Sequence, residues 1–191
     1  MEQAGLLPLR KQAELSTRIL KQRLDQILPW AMEQSKIDFW LIAAREDCLE
    51  PVMQTLYPWD MPSARRLGIL AFQRKEHGSV RKMMIGPHSE AMATLYERVQ
   101  ESGETEWDAL ARVVRECQPK RIGVNRSEIH GYADGLSSTL YEQILATLGE
   151  HAPKVCSAED LVIRWLQRVT PLELDSLQVL LQLTHELIAY A

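Results

Sequence analysis

The sequence lacks the features that mark secreted, membrane-spanning or nucleic-acid-binding proteins. In its 191 residues no apolar run approaches the roughly 18 residues of a membrane span, and no basic segment followed by an apolar core opens the chain. The formal net charge of −4 gives no electrostatic reason to expect binding to nucleic acid or to an anionic membrane. We therefore expect a cytoplasmic protein that binds neither.

Cysteine is scarce, and its number is odd. Cys48, Cys117 and Cys156 show neither CxxC spacing nor the even count of a disulfide framework, which is typical of reduced thiols in a reducing compartment. Cys48 is the best candidate nucleophile, because it follows a predicted strand and has Arg45 nearby. Glu46 and Asp47 oppose thiolate formation and no His is identified as a base. A loop cysteine is favoured, and a small Cys-dependent enzyme is one alternative.

The usual catalytic signatures are also missing. The sequence contains no GxGxxG, GxxxxGK[ST], GxSxG or HExxH pattern. The pair His185-Glu186 has no second His four residues on, so we interpret it as exposed helix surface. We expect no catalytic residue, metal site or cofactor in this segment.

What the sequence does contain is an alternation of helix and strand. The apolar run IDFWLIAA, Ile37 to Ala44, is typical of a strand covered on both faces. The stretch KEHGS suits a hairpin between two antiparallel strands. The later β-α-β order requires parallel, right-handed crossovers. These elements predict an α/β fold with three α/β/α layers and a mixed, partly parallel sheet. The expected helices cover about 10–34, 105–117, 135–148 and 157–166, and the expected strands cover 37–44, 67–72, 80–85, 121–125 and 154–157.

Several local signals set the ends and bends of these elements. Pro29 is expected to bend the first helix or to open a second short one. Thr105 with Asp108, and Ser157 with Asp160, have the spacing of helix N-terminal caps. In YPWDMP, Tyr57 to Pro62, Trp59 is held in a Pro-flanked loop, where it either packs into the core, the favoured interpretation, or faces a ligand or partner.

The last predicted helix begins clearly and has no stop signal. Thr170, Pro171 and Glu173 have the spacing of a capping box with Pro at the first helical position. No Gly, Asn or Pro follows, and no Lys or Arg lies in the last turn. Either the helix packs within this domain or it leads into something absent. Its apolar stripe comprises Leu174, Leu177, Leu181 and Ile188, and it is widened by Val179, Leu180, Leu183, Leu187 and Tyr190.

The order of these segments resembles the N-terminal domain of the creatinase, prolidase and aminopeptidase P family of pita-bread metallopeptidases. The resemblance lies in LDQILPWAMEQSKIDFWLIAARED, LGILAF, a strand that ends in Gly-Pro, RIGVN and VCSAEDLVIRWLQRVTPLEL. The closing RVTPLEL is similar to the junction at which the first helix of the catalytic domain begins. Arg45-Glu46-Asp47 replaces an Asn-containing stretch found in many members, so the sequence looks closer to an Xaa-Pro aminopeptidase-like branch.

This resemblance implies a division of the chain and a role for it. Residues 1–169 would be the family's N-terminal α/β domain, with its ribonuclease H-like motif. Residues 170–191 would be the first helix of an absent C-terminal catalytic domain, whose two Asp, one His and two Glu hold two divalent metal ions (Mn, Co or Zn). The segment alone would be inactive, and its partners would be its own catalytic domain and further copies in a homo-oligomer.

The resemblance also implies which surfaces are functional. Arg45, Glu46, Asp47 and Trp59 would line the entrance to an active site. Once the catalytic domain is missing, the helix carrying Leu174, Leu177, Leu181 and Ile188 is expected to self-associate. The alternative is a stand-alone, non-catalytic α/β domain that binds a ligand or a protein.

Overall fold

One six-stranded mixed sheet organises the protein, with helices on both of its faces. The computed structural model describes residues 7–48 and 50–190, and the strand order is β4-β3-β2-β1-β5-β6. The strands are β1 (Phe39–Arg45), β2 (Leu67–Arg74), β3 (Val80–Ile85), β4 (Glu97–Arg98), β5 (Ile122–Val124) and β6 (Val155–Ser157). The helices are α1 (Leu9–Gln34), α2 (Pro51–Gln54), α3 (Glu90–Leu95), α4 (Glu106–Cys117), α5 (Ser138–Leu148), α6 (Glu159–Gln167) and α7 (Pro171–Tyr190).

Strand β1 lies in the middle of the sheet. It pairs antiparallel with β2 and parallel with β5, and β5 in turn pairs parallel with β6. Successive side chains of a strand point to opposite faces. The six buried residues of β1 therefore divide between two hydrophobic clusters, Trp40, Ile42 and Ala44 in one and Phe39, Leu41 and Ala43 in the other.

Two helical layers cover these two clusters. Buried residues of α1, α2, α3 and α6 join the cluster that contains Trp40. Buried residues of α4 and α5 join the cluster that contains Phe39. The predicted α/β fold, with its layered and partly parallel mixed sheet, is confirmed, and so is the antiparallel hairpin of β2 and β3.

Some local expectations were wrong. Helix α1 runs without interruption through Pro29, so no second helix begins there. Helix α6 has no capping box, because Ser157 Oγ accepts the N–H of Glu159 at 3.1 Å and donates to the carbonyl of Arg126. The box of Thr105 and Asp108 at the start of α4 is confirmed. Strand β4 was not expected, and its two residues pair with β3.

Helix α7 differs from every other helix described here. None of its residues is buried, and only Leu172, Glu173, Ser176 and Leu183 are even partly covered. The alternative in which this helix packs within the domain is therefore wrong for the described chain. Among residues 7–48 and 50–190, no helix has the length and apolar character needed to cross a membrane.

Candidate functional site

The loop that leaves β1 carries three of the residues expected from the sequence. Arg45, Glu46 and Asp47 are all exposed and lie together at the end of this strand. The Arg45 carbonyl accepts the N–H of Cys48 at 3.1 Å, and the Glu46 N–H donates to the Arg66 carbonyl at 2.8 Å. Two loops are thus joined into one exposed edge, which we call the β1 rim (residues 45–48 and 66).

The backbone of the β1 rim is constrained at two positions. Asp47 has φ 59° and Arg66 has φ 54°. This left-handed region is uncommon for residues other than glycine, and a long side chain such as that of arginine is a rarer occupant than aspartate. The loop conformation is therefore set by the contacts around it rather than by local preference.

Trp59 lies on the surface, and the favoured expectation of core packing was wrong. Its side chain is 61% exposed. The next residue fixes the loop, because Asp60 accepts hydrogen bonds from Ser89 Oγ at 2.8 Å and from the Ala91 N–H at 3.4 Å. The hydrogen bonds of Asp60 hold the loop on the surface, so the ring of Trp59 stays outside the core.

The structure brings the two predicted loops together only through their flanks. Tyr57 and Ser63, on either side of Trp59 in the chain, line a small cavity together with Arg45 and Asp47. Trp59 itself is not among the lining residues. The cavity measures about 20 Å³, which is room for a single water and not for a substrate.

A buried polar network behind the β1 rim was not found from the sequence. Glu50 is only 2% exposed, and its Oε1 accepts from Asn125 Nδ2 at 2.7 Å. Asn125 Oδ1 in turn accepts from Trp40 Nε1 at 2.9 Å, and Glu50 Oε2 accepts the N–H of Met53. This network ties β1, the start of α2 and the end of β5 together. The one local signal for it is Glu50-Pro51, an acidic residue before a Pro at a helix start.

Burial sets the ionisation of this region. The apolar surroundings raise the pKa of Glu50, although its hydrogen bonds from Asn125 and from the backbone work in the opposite direction. Burial also raises the pKa of Tyr57, and the negative charge of Glu50 adds to that effect. No cationic side chain bonds to Glu50 in the described part of the chain. We therefore interpret the network as a structural one, which holds β1, α2 and β5 together.

Cys48 gains no support as a nucleophile from this geometry. Its side chain is half-buried at the small cavity that Glu50 and Tyr57 also line. The residues lining that cavity include no histidine that could act as its base.

A second region of interest is the junction between α6 and α7. Arg23 of α1 is buried there, and its Nη1 donates to Glu173 Oε1 at 2.7 Å and to the Arg168 carbonyl at 2.8 Å. Its Nη2 donates to the carbonyl of Trp165, and the guanidinium lies 4.3 Å from the centre of the Trp165 ring. Arg23 was not identified from the sequence, because its partners are 142 to 150 residues away.

The start of α7 follows the expected capping box. The Thr170 N–H donates to Glu173 Oε2 at 2.7 Å, and the Glu173 N–H donates to Thr170 Oγ1 at 3.3 Å. Glu173 therefore uses one carboxylate oxygen for the cap and the other for Arg23. The helix start is satisfied locally and is bound to the body of the domain at the same time.

The surface of α7 is apolar around most of its circumference. At 100° per residue, the arc from Val179 through Leu183 and Leu177 to Leu174 covers roughly 220°, about twice the stripe that one packing surface requires. A narrower polar stripe holds Asp175, Gln178, Gln182 and Glu186. All four residues of the predicted stripe are exposed, namely Leu174, Leu177, Leu181 and Ile188.

The described residues do not fit a metal site. Within residues 7–48 and 50–190, no three His, Cys, Asp or Glu side chains come together as a group that could hold a metal ion. The pair of divalent metals that the resemblance implies would therefore need ligands from another polypeptide segment.

Comparison with known proteins adds no relative to this description. No family model, no curated protein and no solved structure matches the chain.

Proposed function

We propose that this chain is the N-terminal accessory domain of an Xaa-Pro aminopeptidase-like or dipeptidase-like metallohydrolase. In this proposal α7 is the first helix of an adjoining catalytic domain and lies in its hydrophobic core. The observation that carries the proposal is α7 itself, a 20-residue helix whose start is bound to the domain and whose residues are all unburied.

The width of the apolar arc supports a domain core over a single partner surface. One facing helix or groove covers a stripe of about 100°, whereas a helix that is apolar on most sides is typical of a protein interior. Burying a Leu or Ile side chain stabilises by about 1.5–3 kcal/mol relative to leaving it exposed. Most of the stability of a helix in a protein comes from packing of its apolar surface against other elements rather than from helix propensity. Both arguments favour a structure in which other elements surround α7.

The β1 rim has a supporting role in this proposal. Arg45, Glu46 and Asp47, with Trp59 nearby in the chain, present mixed charge and one aromatic ring on exposed loops. Such a surface suits the wall of an active-site entrance or a contact with a second subunit. The chemistry would belong to the catalytic domain, whose two divalent metals (Mn, Co or Zn) would activate a water for peptide hydrolysis.

A peptidase assay tests the division of labour. The purified 191-residue chain is incubated with Mn²⁺ and an Xaa-Pro peptide, and then with Co²⁺ or Zn²⁺ in place of Mn²⁺. We expect no turnover, because the ligand set would lie outside this segment. Two results together would contradict the proposal. One is turnover that remains with the chain through successive purification steps, and the other is the same turnover in an α7 variant such as Leu181→Gln.

An alkylation experiment tests the remaining enzymatic alternative. Cys48 is expected to react with iodoacetamide no faster at neutral pH than an unactivated thiol, because the residues that line the cavity beside it include no histidine that could act as a base. The matched control is a Cys48→Ser variant, which identifies the signal of this residue by mass spectrometry. Rapid and selective alkylation of Cys48 would favour a Cys-dependent enzyme instead.

A further inference from the structure

The geometry points to a rigid elbow between α6 and α7, and we infer that Arg23 is the residue that holds it. Residues 168–170 have the length of a linker that could allow α7 to swing. The contacts of Arg23 remove that freedom, because a single side chain of α1 binds the end of α6 and the start of α7 together. This inference concerns the junction only, so it holds whichever polypeptide covers α7.

The ion pair that holds the elbow is largely buried. The side chain of Arg23 is 10% exposed and that of Glu173 is 18% exposed, so their ion pair is largely screened from solvent. Bonds between a guanidinium and a carboxylate are stronger than neutral hydrogen bonds, and leaving one partner buried without the other is unfavourable. The pair therefore favours one geometry of the two helices.

The elbow also satisfies backbone groups at the helix end. The carbonyls of Trp165 and Arg168 lie where α6 stops, and both accept from the guanidinium of Arg23. Stacking on the Trp165 ring restrains the guanidinium further, and the indole Nε1 of Trp165 donates to Thr55 Oγ1 at 2.7 Å. Thr170, at the bend itself, is 2% exposed. The elbow is thus built into the domain through α1, α2 and α6.

The consequence is a helix that is fixed at its start and unsupported farther on. The first turn of α7 has the capping box and Arg23, whereas every residue after Ser176 except Leu183 is exposed. The domain thus presents α7 in a set direction to whatever covers it. A preset direction lowers the entropic cost of docking in comparison with a freely swinging helix.

Distance measurements between spin labels test the elbow. One label replaces Glu142 on α5 and the other replaces Gln178 on the polar stripe of α7, both exposed, in a chain whose Cys48, Cys117 and Cys156 are serine. Double electron–electron resonance is recorded after dilution with unlabelled protein, so that distances between copies do not contribute. We expect one narrow distance distribution in the parent chain.

Two variants and one control make the test specific. Arg23→Met removes the guanidinium, and Glu173→Gln removes the charge at α7 while leaving Arg23 in place. Both are expected to broaden the distribution, whereas Arg18→Met, an exposed arginine on the same helix, is expected to leave it narrow. If Arg23→Met fails to fold by circular dichroism, the result with Glu173→Gln decides. A broad distribution in the parent chain, or an unchanged one in the folded variants, would overturn the inference.

Discussion

The body of the domain and α7 have similar apolar residues and opposite surroundings. Leu28 of α1 is 0% exposed and lies in a closed cluster with the sheet, whereas Leu181 of α7 is 59% exposed. Both are leucines on helices, so residue type does not explain the difference. The body of the domain therefore buries its own apolar side chains, whereas those of α7 stay exposed in the described part of the chain.

Matched leucine substitutions test the difference between the body and α7 most directly. Leu28→Ala is expected to lower the free energy of unfolding by about 2–5 kcal/mol, because it leaves a cavity in a packed core. Leu181→Ala is expected to change it by less than about 0.5 kcal/mol, because the residue has no packing to lose. Urea unfolding followed by circular dichroism at low protein concentration measures both. Equal losses in the two variants would show that α7 is packed in the isolated chain.

Self-association is the next expected effect. The exposed stripe of Leu174, Leu177, Leu181 and Ile188 should drive the 191-residue chain into oligomers as its concentration rises. Sedimentation velocity should show this increase in mass, and the double variant Leu177→Gln with Leu181→Gln should remain monomeric. Gln178→Ser with Gln182→Ser, on the polar stripe, is the matched control and should associate like the parent. A parent chain that stays monomeric at high concentration would refute this prediction.

The pH dependence of stability tests the role of Glu50, a buried residue in the body of the domain. The raised pKa of Glu50 means that the folded protein holds this proton more tightly than the unfolded chain does. The contribution of protonated Glu50 to the free energy of unfolding is fully present below the pKa of this residue in the unfolded chain, about 4.5. It is lost as the pH rises through the higher pKa of the folded protein. In Glu50→Gln this decline of the free energy of unfolding should be absent. Urea titrations at several pH values between acid and neutral measure the free energy of unfolding in both proteins. The same slope in both proteins would contradict the assignment.

The smallest expected effects come from the two helix caps. Thr105→Ala removes the capping box of α4 and should cost about 1 kcal/mol of global stability, since α4 is part of the body. Thr170→Ala removes the equivalent box of α7 and should mainly speed amide hydrogen exchange in its first turns, with a smaller global effect. Hydrogen exchange with mass spectrometry resolves the two. A larger global loss from Thr170→Ala would place α7 within the cooperative unit of the body.

Local signals were sufficient for most of the fold. The uninterrupted apolar run of β1 predicted a strand that is covered on both faces, and KEHGS predicted that β2 and β3 pair antiparallel, because each pattern depends on adjacent residues. Strand β4 was missed because its two residues, Glu97 and Arg98, are exposed and charged and give no strand pattern. Pro29 was expected either to bend α1 or to open a second short helix, and the second alternative was wrong, because the packing of α1 on the sheet outweighs that local preference.

The buried network of Glu50 and the junction between α6 and α7 were harder to predict, because their contacts join distant parts of the chain. Asn125 and Glu50 are 75 residues apart, and Arg23 and Glu173 are 150 residues apart. The sequence near Asn125 and Arg23 contains no signal that distinguishes these two residues from exposed polar positions. The cap of α7 was predictable, since Thr170 and Glu173 are three residues apart. Its exposure was left open, because periodicity shows an apolar surface without showing what covers it.

The measurement that tests the central claim most directly is the sequence of the native gene beyond the codon for Ala191. Our account predicts that the reading frame continues and that the added segment contains two Asp, one His and two Glu in the order of a dinuclear metal site. A stop codon directly after Ala191 would contradict it. In that case α7 would be a partner-binding helix of a stand-alone domain.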